Sequence, residues 1–400
     1  MTERTFDLAR LLEPTSVREF LKRHWEHEPL VLVRGDEDYY RGLVSLEDID
    51  AVLRHCNVRP TDIRLVRTDD NGVGQEISVG ARPTAAAPDA FRSLNQLYSA
   101  YAAGTSIVLG SLHDYWPPVT ALRSSLEEEL GHPVCVNLYM TPRGARAFGA
   151  HFDTHDVLIL QVEGTKHWRI WESCIELPLA EQKVDISEAQ AGELRHELDL
   201  VPGDLLYIPR GVAHEARTTP GASSVHLTVA LYTYKWVDLL HEALDSAARR
   251  DAQLRRSLPV ALSTANPERL GRELARLLRR VASAGDGDEA LARLANRFIK
   301  QSAPPARGHF AALDEAAELA QDTRLRRRPG MVCRVVENNG SVSIQFPGNQ
   351  VAGPASIAQA LHFIAANHEF SVSELPQLSE GSRLVLVRRL VGEGLLAPVA

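Results

Sequence analysis

Four hundred residues exceed what one ordinary core supports, so the chain reads as two or three domains. Hydrophobic residues make up 44% and charged residues 24%, the balance of a soluble globular protein. A net charge of −8 gives no general attraction to nucleic acid or to an anionic membrane.

Cys56, Cys135, Cys174 and Cys333 form no CxxC and no disulfide-rich pattern, which fits a reducing cytoplasm. The opening MTERTFDLARLLEP lacks an apolar signal segment, and no run reaches the roughly eighteen apolar residues of a membrane helix. The expected location is the cytoplasm.

In chain order, Ser16-Val-Arg-Glu19 and Ser45-Leu-Glu-Asp48 have the spacing of capping boxes and predict helix starts. Between them LVLVRG (30–35) reads as a strand. TDIRLVR (61–67) and QEISV (75–79) flank a turn-rich DDNG (69–72), the pattern of a hairpin. From about 133 to 235 strand signals dominate. VCVNLYMT (134–141) sets Val134, Val136, Leu138 and Met140 on one face and Cys135, Asn137, Tyr139 and Thr141 on the other. HFDTHDVLILQVEGTKHWRIWE (151–172), LLYIPRG (205–211) and SVHLTVALYTY (224–234) supply further strands. Many short strands with Gly/Pro turns predict a sandwich or small barrel.

The pattern changes at 236, where WVDLLHEALDSAARR is an amphipathic helix. Asn266-Pro267 opens a second, with Leu270, Leu274, Leu277, Leu278 and Val281 on one stripe, and EALARLANRFIK (289–300) is a third. LRRRPG (325–330) reads as a boundary, with the arginines of 324–328 as a solvated hinge. In the last seventy residues MVCRVV and VSIQF flank ENNG, and SIAQALHFIAANH (356–368) and SRLVLVRRLVGEGLL (382–396) read as helices. This predicts a small α+β winged helix.

His151-Phe-Asp153 is the first chemical signal. Two residues apart on an extended chain, the two side chains share a face and can reach one ion. A third ligand is needed near the end of a neighbouring strand, and GDLLYIPRGVAHEA supplies His214. A lone histidine in a strand-rich chain is more often an ordinary core or surface residue, but three donors at strand edges outweigh that reading. Two histidines and a carboxylate with open positions are the donor set of non-haem Fe(II) oxygenases, and they also suit catalytic zinc. His155 and Asp156 fall on opposite faces and read as supporting or surface residues. An anionic co-substrate needs a cation, and Lys166, among apolar neighbours, is the candidate; Lys183 and Lys235 read as solvated.

NLYMTPRGARAFGAHFDTHDVLILQVEGTKHWRIWE, then GDLLYIPRGVAHEA and SVHLTVALYTY, resembles the JmjC/cupin-type 2-oxoglutarate oxygenases, and among them the ribosomal oxygenase group of protein hydroxylases. The resemblance implies a mainly β core with α, a double-stranded β-helix. It implies three parts: a JmjC-type oxygenase domain at 1–235, a helical dimerisation domain at 236–328 and a winged-helix domain at 329–400. It implies Fe(II) on His151, Asp153 and His214, with 2-oxoglutarate and O2 as co-substrates. Lys166 stands where relatives pair with the distal carboxylate of 2-oxoglutarate, and Thr141 and His226 join the same candidate pocket. Asn137 and Tyr139 match positions that contact the target side chain in the histidine-hydroxylating members, but Ala230 stands where those members carry serine. Arginyl hydroxylation is the other activity of the group.

The presence of Asp153 favours hydroxylation, because related halogenases lack that carboxylate. The expected partner is a protein or peptide, in particular a ribosomal protein, with the chain as a homodimer. Residues 331–400 carry four arginines and five glutamates, a net −1, so nucleic acid is not the expected ligand of the winged helix. Three function classes stay open: a peptidyl hydroxylase, the same chemistry on a biosynthetic precursor peptide or an N-methyl-lysine, and a non-catalytic binding protein with a relic barrel.

Overall fold

A computed structural model describes residues 6–68, 74–78, 90–182, 186, 190–260, 266–284, 286–302, 308–338 and 340–399. The expected DDNG turn (69–72), Val79 and Lys183 lie outside the described residues. The chain divides into two compact units, Met1–Thr233 and Tyr234–Ala400. No helix among the described residues is long and apolar enough to cross a membrane.

The first unit carries the strands β1 (Leu30–Leu32), β2 (Ile63–Thr68), β3 (Gly74–Ser78), β4 (Ser106–Leu109), β5 (Val134–Thr141) and β6 (Arg146–His151). They continue with β7 (Asp156–Gly164), β8 (Lys166–Ser173), β9 (Leu194–Leu200), β10 (Leu205–Ile208), β11 (Val212–Thr218) and β12 (Ser224–Leu231). They form an eight-stranded sheet, β1-β10-β7-β12-β5-β4-β2-β3, and a four-stranded sheet, β6-β11-β8-β9. From β5 onward the chain weaves between the two sheets, with β5, β7, β10 and β12 in the larger and β6, β8, β9 and β11 in the smaller. This is the double-stranded β-helix that the sequence resemblance implies.

The unbroken apolar run in β7 has a packing cause. Leu158, Leu160 and Val162 point outward into one core while Val157 and Ile159 point into the barrel, so both faces of the strand are dry. β5 and β12 alternate instead. Val134, Val136, Leu138, Val225, Leu227 and Val229 join the outer core, which leaves the polar residues between them on the inner face.

The outer core is roofed by helices α1 (Leu8–Leu12), α2 (Val17–Arg23), α3 (Leu46–His55), α4 (Ala90–Ala102) and α5 (Pro117–Leu130), through residues such as Leu11, Phe20, Ile49, Leu97 and Leu122. Both expected caps form: Ser45 and Asp48 cap α3 reciprocally, and Ser16 Oγ accepts from the Glu19 N–H at 3.2 Å.

The second unit opens with α6 (Trp236–Arg250), α7 (Pro267–Ala284) and α8 (Gly287–Gln301). Glu289 of α8 accepts from Ser246 Oγ at 2.6 Å and pairs with Arg250, fastening α6 to α8. Along α7, Leu274 and Leu278 remain 59% and 57% exposed, so this chain alone does not cover the leucine stripe. Then come α9 (His309–Glu315), α10 (Ala358–Ala366) and α11 (Glu380–Gly392), with strands β13 (Arg324–Arg327), β14 (Arg334–Asn338), β15 (Ser341–Phe346), β16 (Asn349–Pro354), β17 (Glu369–Ser371) and β18 (Leu396–Pro398). They form two three-stranded sheets, β17-β13-β18 and β14-β15-β16.

The hinge reading of 324–328 is corrected by β13. Arg-Leu-Arg-Arg alternates as a central strand, Leu325 is fully buried, and Arg327 and Arg328 are only 8% and 5% exposed. Arg327 Nη1 donates to the Ala365 carbonyl at 2.5 Å. One core joins Ala312, Leu319 and Leu325 to Leu361, Leu390 and Leu396, so this packing begins before the expected start at 329. The third strand of the hairpin sheet, β16, was not expected from the sequence.

Candidate metal centre and its pocket

His151 ends β6 and His214 lies on β11, directly opposite it in the strand register. Asp153 follows in the crossover to β7. One ligating atom from each of the three lies within 4.8 Å of the others. The Asp153 Oδ2 to His214 Nε2 distance is 3.7 Å. His151 Nδ1 is 2.8 Å from the Gly149 carbonyl and His214 Nδ1 is 3.1 Å from the Val212 carbonyl. A carbonyl only accepts, so in both rings Nδ1 carries the proton and Nε2 offers its lone pair. Burial, reinforced by the neighbouring His151, pushes His214 down to about 4, which keeps that lone pair free of a proton at neutral pH. Two imidazole nitrogens and a carboxylate on one face can hold a divalent metal and leave positions open.

The three residues open onto a cavity of about 300 Å³ inside the barrel. Lys166 lies at its inner end and is 2% exposed. Its placement follows from a tight corner. Gly164 adopts φ +64, and a Cβ there would lie 1.9 Å from the Ser223 carbonyl oxygen, so only glycine makes the turn from β7 into β8. Lys166 therefore opens the strand after the apolar one, on the other sheet. Its ammonium donates to Thr141 Oγ1 at 3.0 Å. Burial alone brings the lysine down to about 7.

The inner faces of β5 and β12 form one wall. His226 lies opposite Tyr139 and Thr228 opposite Asn137. The Tyr139 and His226 rings stack, with centroids 4.9 Å apart and planes 8° from parallel. Burial drives His226 well below its ordinary value and pushes Tyr139 up to about 12, so both are neutral. Asn137 Oδ1 accepts from the Ser111 N–H at 3.0 Å, which fixes the amide. Ala230 is fully buried opposite Cys135.

His155 lines the cavity and stacks on Tyr232 with centroids 4.8 Å apart. Asp156 does not line it, and the surface reading is corrected for this residue. It is completely buried, and Arg210 Nη1 lies 3.0 Å from its Oδ2.

Sequence reasoning missed Trp168, Arg64 and Tyr232, which also line the cavity. Trp168 is two residues from Lys166 on the same strand face, a spacing that could have found it. Arg64 arrives from β2, outside the barrel, and hydrogen-bonds Tyr139. No local signal marks it. Two buried polar atoms in this pocket, Trp168 Nε1 and His226 Nδ1, have no hydrogen-bond partner. A buried polar atom left unpaired is costly, so they fit a polar ligand that brings an acceptor to the indole N–H and a matching partner to the imidazole nitrogen.

Residues 117–239 match the JmjC domain family. The bifunctional lysine-specific demethylase and histidyl-hydroxylase NO66 of Aedes aegypti is 31% identical over 315 residues, which are 74% of this chain and 48% of that protein. Ribosomal oxygenase 2 of Mus musculus is 32% identical over 308 residues, 74% of this chain and 64% of that one. The chain spans about half the length of the first curated relatives it matches. Among solved structures, the Escherichia coli ribosomal oxygenase YcfD in complex with cobalt and 2-oxoglutarate aligns with a TM-score of 0.57. It is 21% identical, and the alignment covers 96% of this chain and 98% of that one, a likeness of fold.

Proposed function

This chain carries a JmjC domain and is related to the ribosomal oxygenases, and from that premise we propose that it is an Fe(II)- and 2-oxoglutarate-dependent protein hydroxylase acting on a ribosomal protein. The observation that carries the reading is the convergence, in one cavity, of the His151–Asp153–His214 donors and a buried lysine. No carboxylate among the described residues pairs with that lysine.

The donor set fits Fe(II), and the pocket fits 2-oxoglutarate. Fe(II) with 2-oxoglutarate and O2 supplies oxidative decarboxylation to succinate and CO2, with one oxygen atom inserted into a C–H bond. His151 Nε2, His214 Nε2 and an Asp153 oxygen would hold the metal, next to the cavity they line. Lys166 and the Thr141 hydroxyl take one co-substrate carboxylate. Trp168 Nε1 and His226 Nδ1 gain partners in the same filled pocket. Val157 and Ile159 add apolar surface to the cavity lining. Asn137, Tyr139, Arg64 and Tyr232 line the remainder, where a target side chain enters.

The target is read as histidine rather than arginine or methylated lysine. Asp153 is the one carboxylate among the described lining residues, and it is committed to the metal. Arg64 adds a cation of its own, and a guanidinium or ammonium there meets like charge without a counter-ion. An imidazole suits the Asn137 amide and Tyr139 hydroxyl as neutral partners.

The second unit is read as a dimerisation region followed by a winged-helix module that contacts protein. The exposure of Trp236 (81%), Leu240, Leu274 and Leu278 supports a second copy covering these helices.

The test is an aerobic incubation of the purified chain with Fe(II), 2-oxoglutarate and mixed ribosomal proteins, scored by mass. One ribosomal protein gains one oxygen atom on a histidine, and Asp153→Ala abolishes the gain. No gain anywhere, with 2-oxoglutarate still consumed, would move the substrate to another peptide. Absence of both metal and 2-oxoglutarate binding would overturn the oxygenase reading.

A further inference from the structure

The three ligand atoms are held by two different devices. The histidines are tied by the β6–β11 register, with His151 opposite His214. Asp153 is on no strand, and its position relative to His214 depends on the crossovers that flank both.

Three residues past Asp153, Asp156 opens β7 with no exposure, and four residues before His214, Arg210 is 5% exposed. The Arg210 backbone N–H donates to Asp156 Oδ1 at 2.8 Å, and its guanidinium Nη1 donates to Oδ2 at 3.0 Å. The next backbone N–H, that of Gly211, donates to the Asp153 carbonyl at 2.9 Å. Gly211 adopts φ +86, and a Cβ there would lie 1.9 Å from the Ile175 carbonyl oxygen, so this crossover has little freedom. Behind the pair, Glu26 Oε1 lies 2.6 Å from Arg210 Nη1, and the Glu26 N–H donates to the Tyr207 hydroxyl at 2.9 Å.

Two carboxylates on one buried guanidinium are a poor means of adding stability, because desolvating ions is costly and apolar residues of the same volume often do as well. What they supply is direction. Each contact fixes an angle and a length between the crossover that carries Asp153 and the one that leads to His214.

We infer that Arg210, held between Glu26 and Asp156, is a positioning residue that sets the separation of Asp153 from His214 and so the geometry of the metal centre. The inference rests on the reading of His151, Asp153 and His214 as metal ligands. Residues that orient metal ligands typically contribute about 10- to 100-fold to metal affinity.

The experiment titrates the full chain with Co(II), without co-substrate, and follows its visible absorption. Thermal unfolding of the metal-free protein is recorded alongside. Arg210→Gln unfolds cooperatively, binds Co(II) about 10- to 100-fold more weakly and shifts the absorption bands. Arg210→Lys, which keeps the charge, recovers part of the affinity. Glu26→Gln gives a smaller loss in the same direction. A folded Arg210→Gln protein with the parent affinity and spectrum overturns the inference. If that variant does not fold, Glu26→Gln decides, and parent-like Co(II) binding overturns it. Co(II) binding by the parent that survives Asp153→Ala would overturn the metal-centre reading, and this inference with it.

Discussion

Lys166 and Thr141 meet inside the barrel, ammonium to hydroxyl at 3.0 Å, with the lysine 2% exposed. A neutral hydroxyl satisfies one proton of a cation that can donate three. The charge is therefore held in readiness, at a cost to the empty protein and a gain to whatever anion enters.

Lys166→Met separates the two effects. Removing a charged hydrogen-bond donor costs about 1.5–3 kcal/mol of 2-oxoglutarate binding, roughly a 10- to 100-fold rise in Kd. The metal-free, ligand-free protein melts at a higher temperature because a buried ammonium is gone. Calorimetric titration and thermal unfolding read the two, and an unchanged Kd would remove Lys166 from the co-substrate site.

The pH dependence follows from the same residue. Burial brings Lys166 from its ordinary 10.5 down to about 7. Below about pH 7 folded and unfolded chains both hold the proton, so the buried charge weighs fully against the fold. Between 7 and 10.5 only the unfolded chain holds it, so the stability of the empty protein rises with pH through this group. Binding a dianion needs the ammonium, so 2-oxoglutarate affinity falls as pH rises above 7 and binding takes up a proton. Calorimetry at pH 8 in two buffers of different ionisation enthalpy measures that uptake, and a value of zero would contradict it.

Trp168→Phe removes an indole N–H that has no partner in the empty pocket. Losing a buried unsatisfied donor relieves about 1–3 kcal/mol, which offsets the lost ring volume, so the melting temperature of the empty protein holds. The Kd for 2-oxoglutarate rises several-fold. A large drop in melting temperature with an unchanged Kd would make Trp168 a packing residue only.

Gly164→Ala tests the corner. Its φ of +64 disfavours any side chain, and the new Cβ would strike the Ser223 carbonyl. Left-handed strain costs about 1–3 kcal/mol before the clash is counted. Chemical denaturation is expected to show at least that loss, together with weaker 2-oxoglutarate binding as Lys166 shifts.

Leu274→Glu combined with Leu278→Glu places charge on the exposed stripe of α7. On the dimer reading, sedimentation finds the parent as a dimer and this variant as a monomer, with the helical signal of circular dichroism preserved. A parent that sediments as a monomer would sink the dimer reading.

Much of this was legible in the sequence where periodicity and chemistry coincide. β5 alternates strictly because one face is roofed by helices and the other faces the barrel interior, where Asn137 and Tyr139 line the cavity and Thr141 meets Lys166. His151, Asp153 and His214 were singled out because a metal needs donors at strand edges, and their donor atoms do lie within 4.8 Å of one another. For Asp156 the surface alternative failed and the supporting one stands, a choice the sequence left open because a solvated aspartate and one paired with a buried arginine look alike until Arg210, 54 residues away, is in place. Arg64 was invisible for a similar reason, since β2 joins the large sheet by pairing with β4, which no local pattern announces. The arginines of 324–328 were mistaken for a hinge because charge usually means solvent, whereas here a central strand turns Arg324 and Arg326 outward and buries Arg327, with Arg328 buried just after it.

His151, Lys166, Trp168 and His214 all belong to β6, β8 and β11, strands of the four-stranded sheet. Asn137, Tyr139 and Thr228 belong to β5 and β12 of the eight-stranded one. On the proposed reading, the ligand histidines and Lys166 stand on the smaller sheet, while the larger sheet serves both ends of the pocket, Thr141 and His226 toward the co-substrate and Asn137, Tyr139 and Thr228 toward the target. A descendant of this chain could acquire a different target by altering Asn137, Tyr139 and Thr228, while the ligand histidines and Lys166 are inherited intact.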